Sequence, residues 1–536
     1  MSKKGRSLAA GLSKKTVAGI GALVVGLFVL YKGIYLTAEP GKDKECGPLY
    51  PERAQNDKPT NIQLPADNLN WLQKGGVIND ASCLDETVVT GVVSVRDEED
   101  IRDALQYAQG HGLKVSIAGV KHSMGGQAFA KNALVLDMTG FNSVQINESK
   151  KTMTVESGAT WHDIQTKIHP RYAVLAMQST DIFTVGGSIS VNAHGMDHQA
   201  GAVENSIVSI RVMLPDGSIQ RLSRDENPQL YNLVVGGYGL FGVILDAELK
   251  LADNDLYTSS RQIISYKDFP VLFENEIEPN QDIGLMYTHL STAPGSSFLD
   301  EAIVYRYEKS DEAVPANEIP PLGEISSVKL RRLVMNLSKY GGVMQTLRWW
   351  SEKYLEPKME SCTISRNVAQ SSGEACLVTR NEPMHDSVPY LKNSLKHETD
   401  ILHEYFIPRR NIVAFIDGLR EIVRADDVNL LNASIRVVHR EHGFLSYAPE
   451  EAFSVVLYIN QKTNDVGNER MRVATGKLID LAVQNGGRFF LPYQLYYTAD
   501  QLRASYPNIN DFFALKKSYD PQELLTNTWY ETYSKS

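Results

Sequence analysis

The chain is poor in cysteine, with four in 536 residues at positions 46, 83, 362 and 376. No two of them are close enough to form a CxxC pair, which excludes a zinc ribbon and a dithiol redox motif. An oxidising compartment would permit two disulfides, with Cys46 and Cys83 the first pair to test. Four unpaired thiols fit the sequence equally well.

The chain also lacks internal repeats, low-complexity blocks and an excess of basic residues. Its 54 Lys and Arg against 64 Asp and Glu give a net charge of −10. Nucleic-acid binding needs clustered cations, so we expect no nucleic-acid partner. No HExxH motif is present, and Gly195 separates His194 from His198. We therefore expect no metal site.

One long hydrophobic run is present, at residues 16–36 (TVAGIGALVVGLFVLYKGIYL), and five cations precede it. Its length is that of a membrane-spanning helix, and the cations predict that residues 1–15 stay in the cytoplasm. The prediction is a single-pass anchor with everything after residue 36 on the non-cytoplasmic (periplasmic or luminal) side. A cleaved signal peptide is the alternative, although "LTA" at 36–38 matches a cleavage site poorly. Residues 37–84 are expected to form a linker and N-terminal extension.

From about residue 86 the hydrophobic pattern alternates between strands and helices. Residues 87–95 predict a strand, 96–112 an amphipathic helix and 114–119 a second strand, which together form a βαβ unit. Asp216-Gly217 predicts a hairpin turn between two further strands. After about residue 255, longer alternating strands and amphipathic helices predict a second, interleaved α+β unit.

The stretch GGYGLFG at 236–242 has the GxGxxG spacing of a dinucleotide-binding turn. That motif requires a helix after it, whereas VILDAELKL at 243–251 alternates as a strand does. This context argues against NAD binding by that route.

Two other glycine-rich stretches combine exposed backbone with polar side chains. In VSIAGVKHSMGGQAF (115–129), a strand runs directly into His122 among glycines, and this histidine could instead simply cap a turn. In 179–207, Gly186, Gly187 and Ser188 could offer backbone N–H groups to phosphates, or could serve only to reverse the chain.

The order of several motifs resembles that of the vanillyl-alcohol oxidase/p-cresol methylhydroxylase (PCMH-type) flavoprotein family, near its aldonolactone/alditol oxidase and decaprenylphosphoryl-ribose oxidase branches. The motifs are AGVKHSMGGQ (118–127), TVGGSISVNAHG (184–195), LPDG (214–217), GGYGLFGVI (236–244) and LKKSYDPQELLTN (515–527). The resemblance implies an α+β, two-subdomain FAD-binding fold at 85–253, completed by 501–536. An antiparallel-sheet cap domain for the substrate is inserted at 254–500, and the transmembrane helix precedes the whole.

The resemblance also implies which residues bind FAD. His122 stands where family members join a histidine covalently to the 8α-methyl carbon of the flavin. The other residues expected at the cofactor are Gly119, Ser123, Gly125, Gly126, Gln127, Thr184, Gly186, Gly187, Ser188, Asn192, His194, Gly195, Gly239, Gly242, Val243 and Ile244.

On the cap, the resemblance points to Arg436, Glu404 and Tyr493 as catalytic residues that face the substrate. Tyr493 occupies the position of an active-site lysine in alditol oxidases, a departure from the pattern of the sugar-polyol enzymes. Each of the three could instead be a surface or interface group.

The resulting hypothesis is a membrane-anchored, FAD-dependent oxidoreductase that oxidises a CH–OH group of an alcohol, sugar or lactone by hydride transfer to flavin N5. Its partners would be a small-molecule substrate and oxygen or another electron acceptor. Two alternatives stay open: a flavin-dependent C=C reductase of the sterol Δ24-reductase type, and a non-catalytic scaffold that contains FAD.

Overall fold

The computed structural model describes Gly26 and residues 68–311, 314–355, 377–391, 395 and 397–535. The predicted anchor (Gly26 apart), most of the linker, and Cys46, Cys362 and Cys376 lie outside the described residues. Cys83 is half-buried. Among the helices that the structure describes, none has the length and apolar character needed to cross a membrane.

The strands are numbered in chain order. They are β1 (Trp71–Lys74), β2 (Val77–Ile78), β3 (Thr87–Val88), β4 (Gly91–Ser94), β5 (Val115–Ala118), β6 (Leu134–Asp137), β7 (Val144–Asn147), β8 (Thr152–Glu156), β9 (Tyr172–Val174), β10 (Ile207–Met213), β11 (Ile219–Leu222), β12 (Val243–Asp253), β13 (Leu256–Ser265), β14 (Ile283–Leu290), β15 (Glu301–Lys309), β16 (Leu377–Thr379), β17 (Glu398–Pro408), β18 (Asn429–Val438), β19 (Ala452–Lys462) and β20 (Arg488–Phe489).

The α-helices are numbered in the same way. They are α1 (Glu98–Gly110), α2 (Trp161–Ile168), α3 (Val185–Ser190), α4 (Pro228–Val234), α5 (Phe269–Leu272), α6 (Val328–Ser338), α7 (Gly342–Tyr354), α8 (Ile412–Ala425), α9 (Asp465–Gln484), α10 (Ala499–Ser505), α11 (Ile509–Tyr519) and α12 (Thr528–Tyr533).

A four-stranded sheet in the order β1-β4-β6-β5 opens the fold, and β4 and β5 both run parallel to β6. The predicted βαβ unit is confirmed, with β6 inserted between its two strands. The Asp97 side chain accepts a hydrogen bond from the Asp100 amide and so caps α1, which begins with acidic residues that suit the helix dipole.

A second, antiparallel sheet has the order β11-β10-β12-β8-β7, and β9 also pairs with β12. The predicted hairpin is confirmed at β10 and β11, where Gly217 has φ +82° and the Ser218 amide donates to Asp216 Oδ1 at 2.9 Å. The segment after GGYGLFG is strand β12, so the structure has no helix N-terminus there to meet a pyrophosphate.

The C-terminal residues return to the first sheet. The Val115 amide donates to the Leu524 carbonyl at 2.7 Å, and the Thr526 amide donates to the Val115 carbonyl at 2.8 Å. The Ser116 hydroxyl bonds to the Thr526 carbonyl at 2.7 Å. Residues 524–526 therefore extend the edge of the sheet at β5, on the strand that leads to His122.

The third sheet is eight-stranded and antiparallel, in the order β16-β13-β15-β14-β18-β19-β17-β20. Helices α8 and α9 cover one face, where Tyr405 meets the Phe415 ring at 5.6 Å and His403 Nε2 lies 3.5 Å from the Thr475 hydroxyl. The alternate residues of β17, Leu402 and Glu404, line a cavity on the other face. The expected α+β class and antiparallel cap sheet are confirmed.

Candidate functional site

A cavity of about 2080 Å³ lies between the two N-terminal sheets and the open face of the cap sheet. One wall comes from the glycine-containing loops that include His122, Thr184 and Gly239. The opposite wall comes from side chains of β14, β15, β17, β18 and β19. The volume is larger than the 300–1,000 Å³ typical of small-ligand pockets, so the cavity has room for a large cofactor together with a substrate.

His122 reaches the cavity at the end of β5. Its ring lies deep in the protein but is half-exposed, since it faces the cavity, and its edge meets the Phe183 ring at 5.3 Å between centroids. Burial lowers the pKa of His122 to about 4. The imidazole is therefore neutral at physiological pH and keeps a lone pair on one ring nitrogen.

Close approaches explain two of the glycines in this loop. A Cβ atom at Gly119 would collide with the Thr184 hydroxyl, and one at Gly125 would collide with the Tyr493 carbonyl. Any larger residue would push the loop away from the stretch that begins α3, or away from the segment that carries Tyr493.

The His122 loop is also hydrogen-bonded to the chain segment 491–493. The Gln127 amide group donates to the Leu491 carbonyl at 2.7 Å and to the Tyr493 carbonyl at 3.3 Å. The Met124 amide donates to the Pro492 carbonyl at 2.7 Å. The predicted residue Gln127 thus lines the cavity and also fixes one wall against the other.

The second glycine-rich stretch contributes Thr184, Gly186 and Gly187 to the cavity lining. The Gly186 amide, however, donates to the Ser157 carbonyl at 2.8 Å, so it is not available to an anion. Ser188 is fully buried and bonds to the Trp161 indole N–H at 2.9 Å, away from the lining.

The remaining predicted cofactor residues divide into two groups. Those that line the cavity are Ser123, His194, Gly239, Gly242 and Ile244; those that the structure places outside the lining are Gly125, Gly126, Asn192, Gly195 and Val243. Asn192 is the clearest case, because its side-chain NH₂ group donates to Glu441 and its Oδ1 accepts the Glu204 amide at 3.1 Å. Through these bonds Asn192 connects the N-terminal sheets to a cap loop.

Glu404 on β17 is the centre of a charged cluster at the cavity wall. Its Oε1 atom lies 2.6 Å from His194 Nε2 and also accepts the Ser454 hydroxyl, while its Oε2 accepts the Tyr493 hydroxyl at 3.2 Å. Glu404, Tyr493 and Arg436 all line the cavity. The structure therefore brings the three predicted catalytic residues together.

The register of the cap sheet explains this convergence. Ser454 on β19 pairs with Arg436 of β18 on one side and with Phe406 of β17 on the other. Residues paired across strands point to the same face, as do residues two apart on one strand. Arg436, Ser454 and Glu404 therefore all face the cavity.

The electrostatics of the cluster fix its protonation. Burial alone would raise the pKa of Glu404, but His194, Ser454 and Arg436 hold it below its usual value, so the carboxylate is charged. Burial and the neighbouring Glu404 raise the pKa of Tyr493 well above its usual value, so its hydroxyl stays protonated and donates.

One N–H group of the Arg436 guanidinium is available to a ligand. Burial lowers its pKa, and the charge of Glu404 opposes that effect. Among the residues that the structure describes, its Nε atom is buried without a hydrogen-bond partner. An unpaired buried guanidinium N–H beside a cavity suits an oxygen atom of a ligand.

Sequence reasoning missed Ser454 and the wall residues Tyr287 and Tyr458. The alternation of residues along a strand predicts which of them share a face of the sheet. The sequence does not show which strands are neighbours, so it does not show that these three residues lie near Glu404. His194 and His198, four residues apart in the glycine-rich stretch, have different partners. His194 Nε2 contacts Glu404, whereas His198 Nε2 hydrogen-bonds to the Ile283 carbonyl.

Comparison with known proteins agrees with this geometry. A family model described as FAD binding domain matches residues 89–223. The chain is 28% identical to cytokinin dehydrogenase 2 of Arabidopsis thaliana over 266 residues, which are 47% of this chain and 50% of that protein. It is 29% identical to decaprenylphosphoryl-β-D-ribose oxidase of Mycolicibacterium smegmatis over 192 residues, 33% of this chain and 42% of that protein.

A longer alignment relates the chain to cytokinin dehydrogenase 4 of Arabidopsis thaliana, at 22% identity over 447 residues, 77% of this chain and 80% of that protein. The chain spans half or less of the length of the first relatives it matches, at 28–33% identity. Residues 89–223 are thus an FAD binding domain, and the expected cofactor, FAD, is confirmed. The protein is a flavoprotein related to FAD-linked oxidoreductases.

Proposed function

We propose that the protein is an FAD-dependent oxidoreductase that oxidises a CH–OH group of an alcohol, sugar or lactone. The observation that carries the proposal is the Glu404, Arg436 and Tyr493 cluster, which faces the His122 side of one large cavity. Two of the relatives are named a dehydrogenase and an oxidase, which favours oxidation over C=C reduction.

The residues present fit FAD. The cavity is lined on one side by Gly119, Gly186, Gly187 and Gly239, where the chain presents backbone and no side chain to the space. The neutral ring of His122 and the spare Arg436 N–H face the same space from opposite walls.

When bound, FAD supplies an acceptor for the hydride that leaves the substrate carbon. Arg436 would hold the substrate oxygen through its free N–H, and the Tyr493 hydroxyl, which donates its one proton to Glu404 Oε2, would help to orient that carboxylate. Glu404 would accept the hydroxyl proton, because Tyr493 is already protonated and Arg436 has no lone pair. His194 and Ser454 would keep the carboxylate in place.

The proposal includes covalent attachment of the flavin: a ring nitrogen of His122 would replace one hydrogen of the 8α-methyl group, with release of a proton and transfer of the two electrons of the broken C–H bond to the flavin ring. The low pKa of His122 supports this, because only a neutral imidazole has a nucleophilic lone pair.

We further propose that the protein is anchored in a membrane by residues 16–36, with its catalytic part on the non-cytoplasmic side. A surface of α6 and α7 supports membrane contact, since Leu330, Val343, Leu347 and Trp350 are exposed there. Leu330 also lines the cavity, so this apolar surface adjoins its mouth.

The direct test is anaerobic bleaching of the flavin by a panel of alcohols, sugars and lactones, with the Glu404→Gln variant as the control. A compound that bleaches the wild type about 10²-fold faster than the variant would support the assignment. Reoxidation of chemically reduced flavin by an alkene, with no bleaching by any alcohol, would instead indicate the C=C reductase. If nothing in either panel changes the flavin spectrum, the proposed activity is wrong.

A further inference from the structure

Two histidines and a glutamate lie close together beside the cavity, and both histidines contact the buried carboxylate of Asp181. His162 lies on α2, Asp181 lies on the loop before α3, and Glu324 and His385 come from two segments of the cap. Asp181 is fully buried and bonds to both histidines, and His385 is only 4% exposed. The cluster is separate from Glu404 and from the His122 loop.

Hydrogen bonds to the ring Nδ1 atoms fix the tautomer of both histidines. Asp181 Oδ2 lies 2.9 Å from His162 Nδ1 and 3.1 Å from His385 Nδ1, and Gln165 Oε1 lies 3.0 Å from His385 Nδ1. A carboxylate and an amide oxygen only accept hydrogen bonds, so each Nδ1 carries the proton. Each Nε2 then keeps a free lone pair.

The two lone pairs converge on one carboxylate. The rings stack at 4.8 Å with planes 18° apart, and both Nε2 atoms approach Glu324 Oε1, at 3.5 Å for His162 and 3.8 Å for His385. One ligand atom from each of the three residues lies within 4.8 Å of the others. Bonds of about 2.0–2.1 Å in a tetrahedral zinc site place neighbouring ligand atoms about 3.4 Å apart, close to the 3.5 and 3.8 Å between Glu324 Oε1 and the two Nε2 atoms.

We propose that His162, His385 and Glu324 bind a divalent transition-metal ion of the Zn²⁺ class, with water at the fourth position. Asp181 acts as a positioning residue, because a carboxylate on Nδ1 orients a histidine ligand and raises its basicity. This proposal departs from the expectation of no metal site, which rested on motifs; the three proposed ligands are 162 and 61 residues apart and match no motif.

The ion would join the cap to the FAD-binding part at the mouth of the cavity. His162 lies on α2 of the FAD-binding part. Glu324 lies just before the cavity residues Ser326 and Ser327, and His385 just before Asp386 and Ser387. The Glu324 side chain is 71% exposed, so an ion can enter and leave without unfolding of the site.

The site also borders the flavin loop. Asp181 is two residues from Phe183, whose ring meets His122.

The test uses the full-length, untagged holoprotein, treated with a chelator and titrated with ZnCl₂ in a calorimeter, with Co²⁺ absorption as a second readout. We expect one equivalent of Zn²⁺ to bind, and a Co²⁺ spectrum typical of tetrahedral coordination. Glu324→Gln and His162→Gln should weaken binding by at least the 10–100-fold typical of losing even an outer partner of a ligand.

Two variants serve as matched controls. Glu318→Gln removes an exposed carboxylate six residues before Glu324, and His111→Gln removes an exposed histidine. Both should bind Zn²⁺ like the wild type, and Zn²⁺ should raise the melting temperature of the wild type and controls only. Absence of a Zn²⁺ heat signal in the wild type, or equal affinity in the ligand variants and controls, would overturn the proposal. The flavin spectrum reports that each variant is folded.

Discussion

His194 Nε2 lies 2.6 Å from Glu404 Oε1, and this contact joins residues 210 positions apart in the chain. His194 belongs to the stretch that follows α3, whereas Glu404 is carried by the cap strand β17. Both side chains are buried, so the bond forms only when the cap lies against the FAD-binding part. The carboxylate that we assign to the reaction is thus oriented by the opposite wall of the cavity.

Replacement of Glu404 by Gln should slow flavin reduction by about 10²-fold or more, because the proton acceptor is lost. Stopped-flow bleaching with a substrate from the panel measures the rate. Glu451→Gln is the control, since it breaks another His–Glu contact, to His439 at 2.6 Å, on the protein surface. Equal rates in the two variants would remove Glu404 from the mechanism.

Arg436→Ala and Tyr493→Phe should each reduce turnover while leaving the yellow colour. The first removes the unpaired donor and should cost about 10²-fold in rate; the second removes only the hydroxyl that bonds to Glu404. Arg440→Ala, an exposed neighbour, is the control. Loss of FAD from both variants would show that the two residues are structural, and unchanged rates in both would place the active site elsewhere.

His122→Ala should bind FAD reversibly, whereas wild-type flavin should stay with the acid-denatured chain. The measurement is the fluorescence of the protein band under ultraviolet light, together with free FAD in the supernatant. His111→Ala, at an exposed histidine, should behave as the wild type. A non-fluorescent wild-type band with all its FAD released would refute the covalent link.

The stability of the protein should fall as the pH falls from about 6.5 to about 4. Burial lowers the pKa of His403 to about 4, while an unfolded histidine titrates near 6.5. The unfolded chain therefore takes up a proton first, which removes about 1.4 kcal/mol per pH unit in this window and nothing above it.

Urea unfolding at a series of pH values measures this slope. His403→Gln should reduce it by one proton, whereas replacing the exposed His111 should not. If the variant and the wild type keep the same slope between pH 6.5 and 4, His403 is not buried in its neutral form.

The C-terminus should lie outside the cytoplasm, because five cations precede residues 16–36. A C-terminal fusion to a reporter that is active only after export tests this directly. Activity of a cytoplasmic reporter in its place would reverse the predicted topology.

The sequence predicted local structure better than it predicted contacts. The helix α1 and the hairpin at Asp216-Gly217 follow from caps, periodicity and turn chemistry, all of which act within a few residues. The role of Asn192 could not be predicted from the sequence. A polar residue in a glycine-rich stretch gives the same sequence pattern whether its side chain binds a phosphate or, as here, Glu441. Its partner is 249 residues away, and only the folded chain brings the two together.

The three cap residues were found by resemblance to a family, and no periodicity singles them out from other polar strand residues. The sheet order that puts Ser454 between Arg436 and Glu404 departs from the order along the chain, because β17 pairs with β19 and not with β18. Long-range pairing of this kind is set by packing of the whole cap and not by the strand sequences alone.

The bonds from Gln127 and Met124 to residues 491–493 set an order for maturation of the protein. The loop that carries His122 is synthesised first, and the Leu491 carbonyl that accepts from Gln127 leaves the ribosome 364 residues later. A nascent chain therefore has no finished cradle for its coenzyme until the distal third of the polypeptide has emerged and docked. A chain that stops before residue 491 lacks these acceptors for Gln127 and Met124.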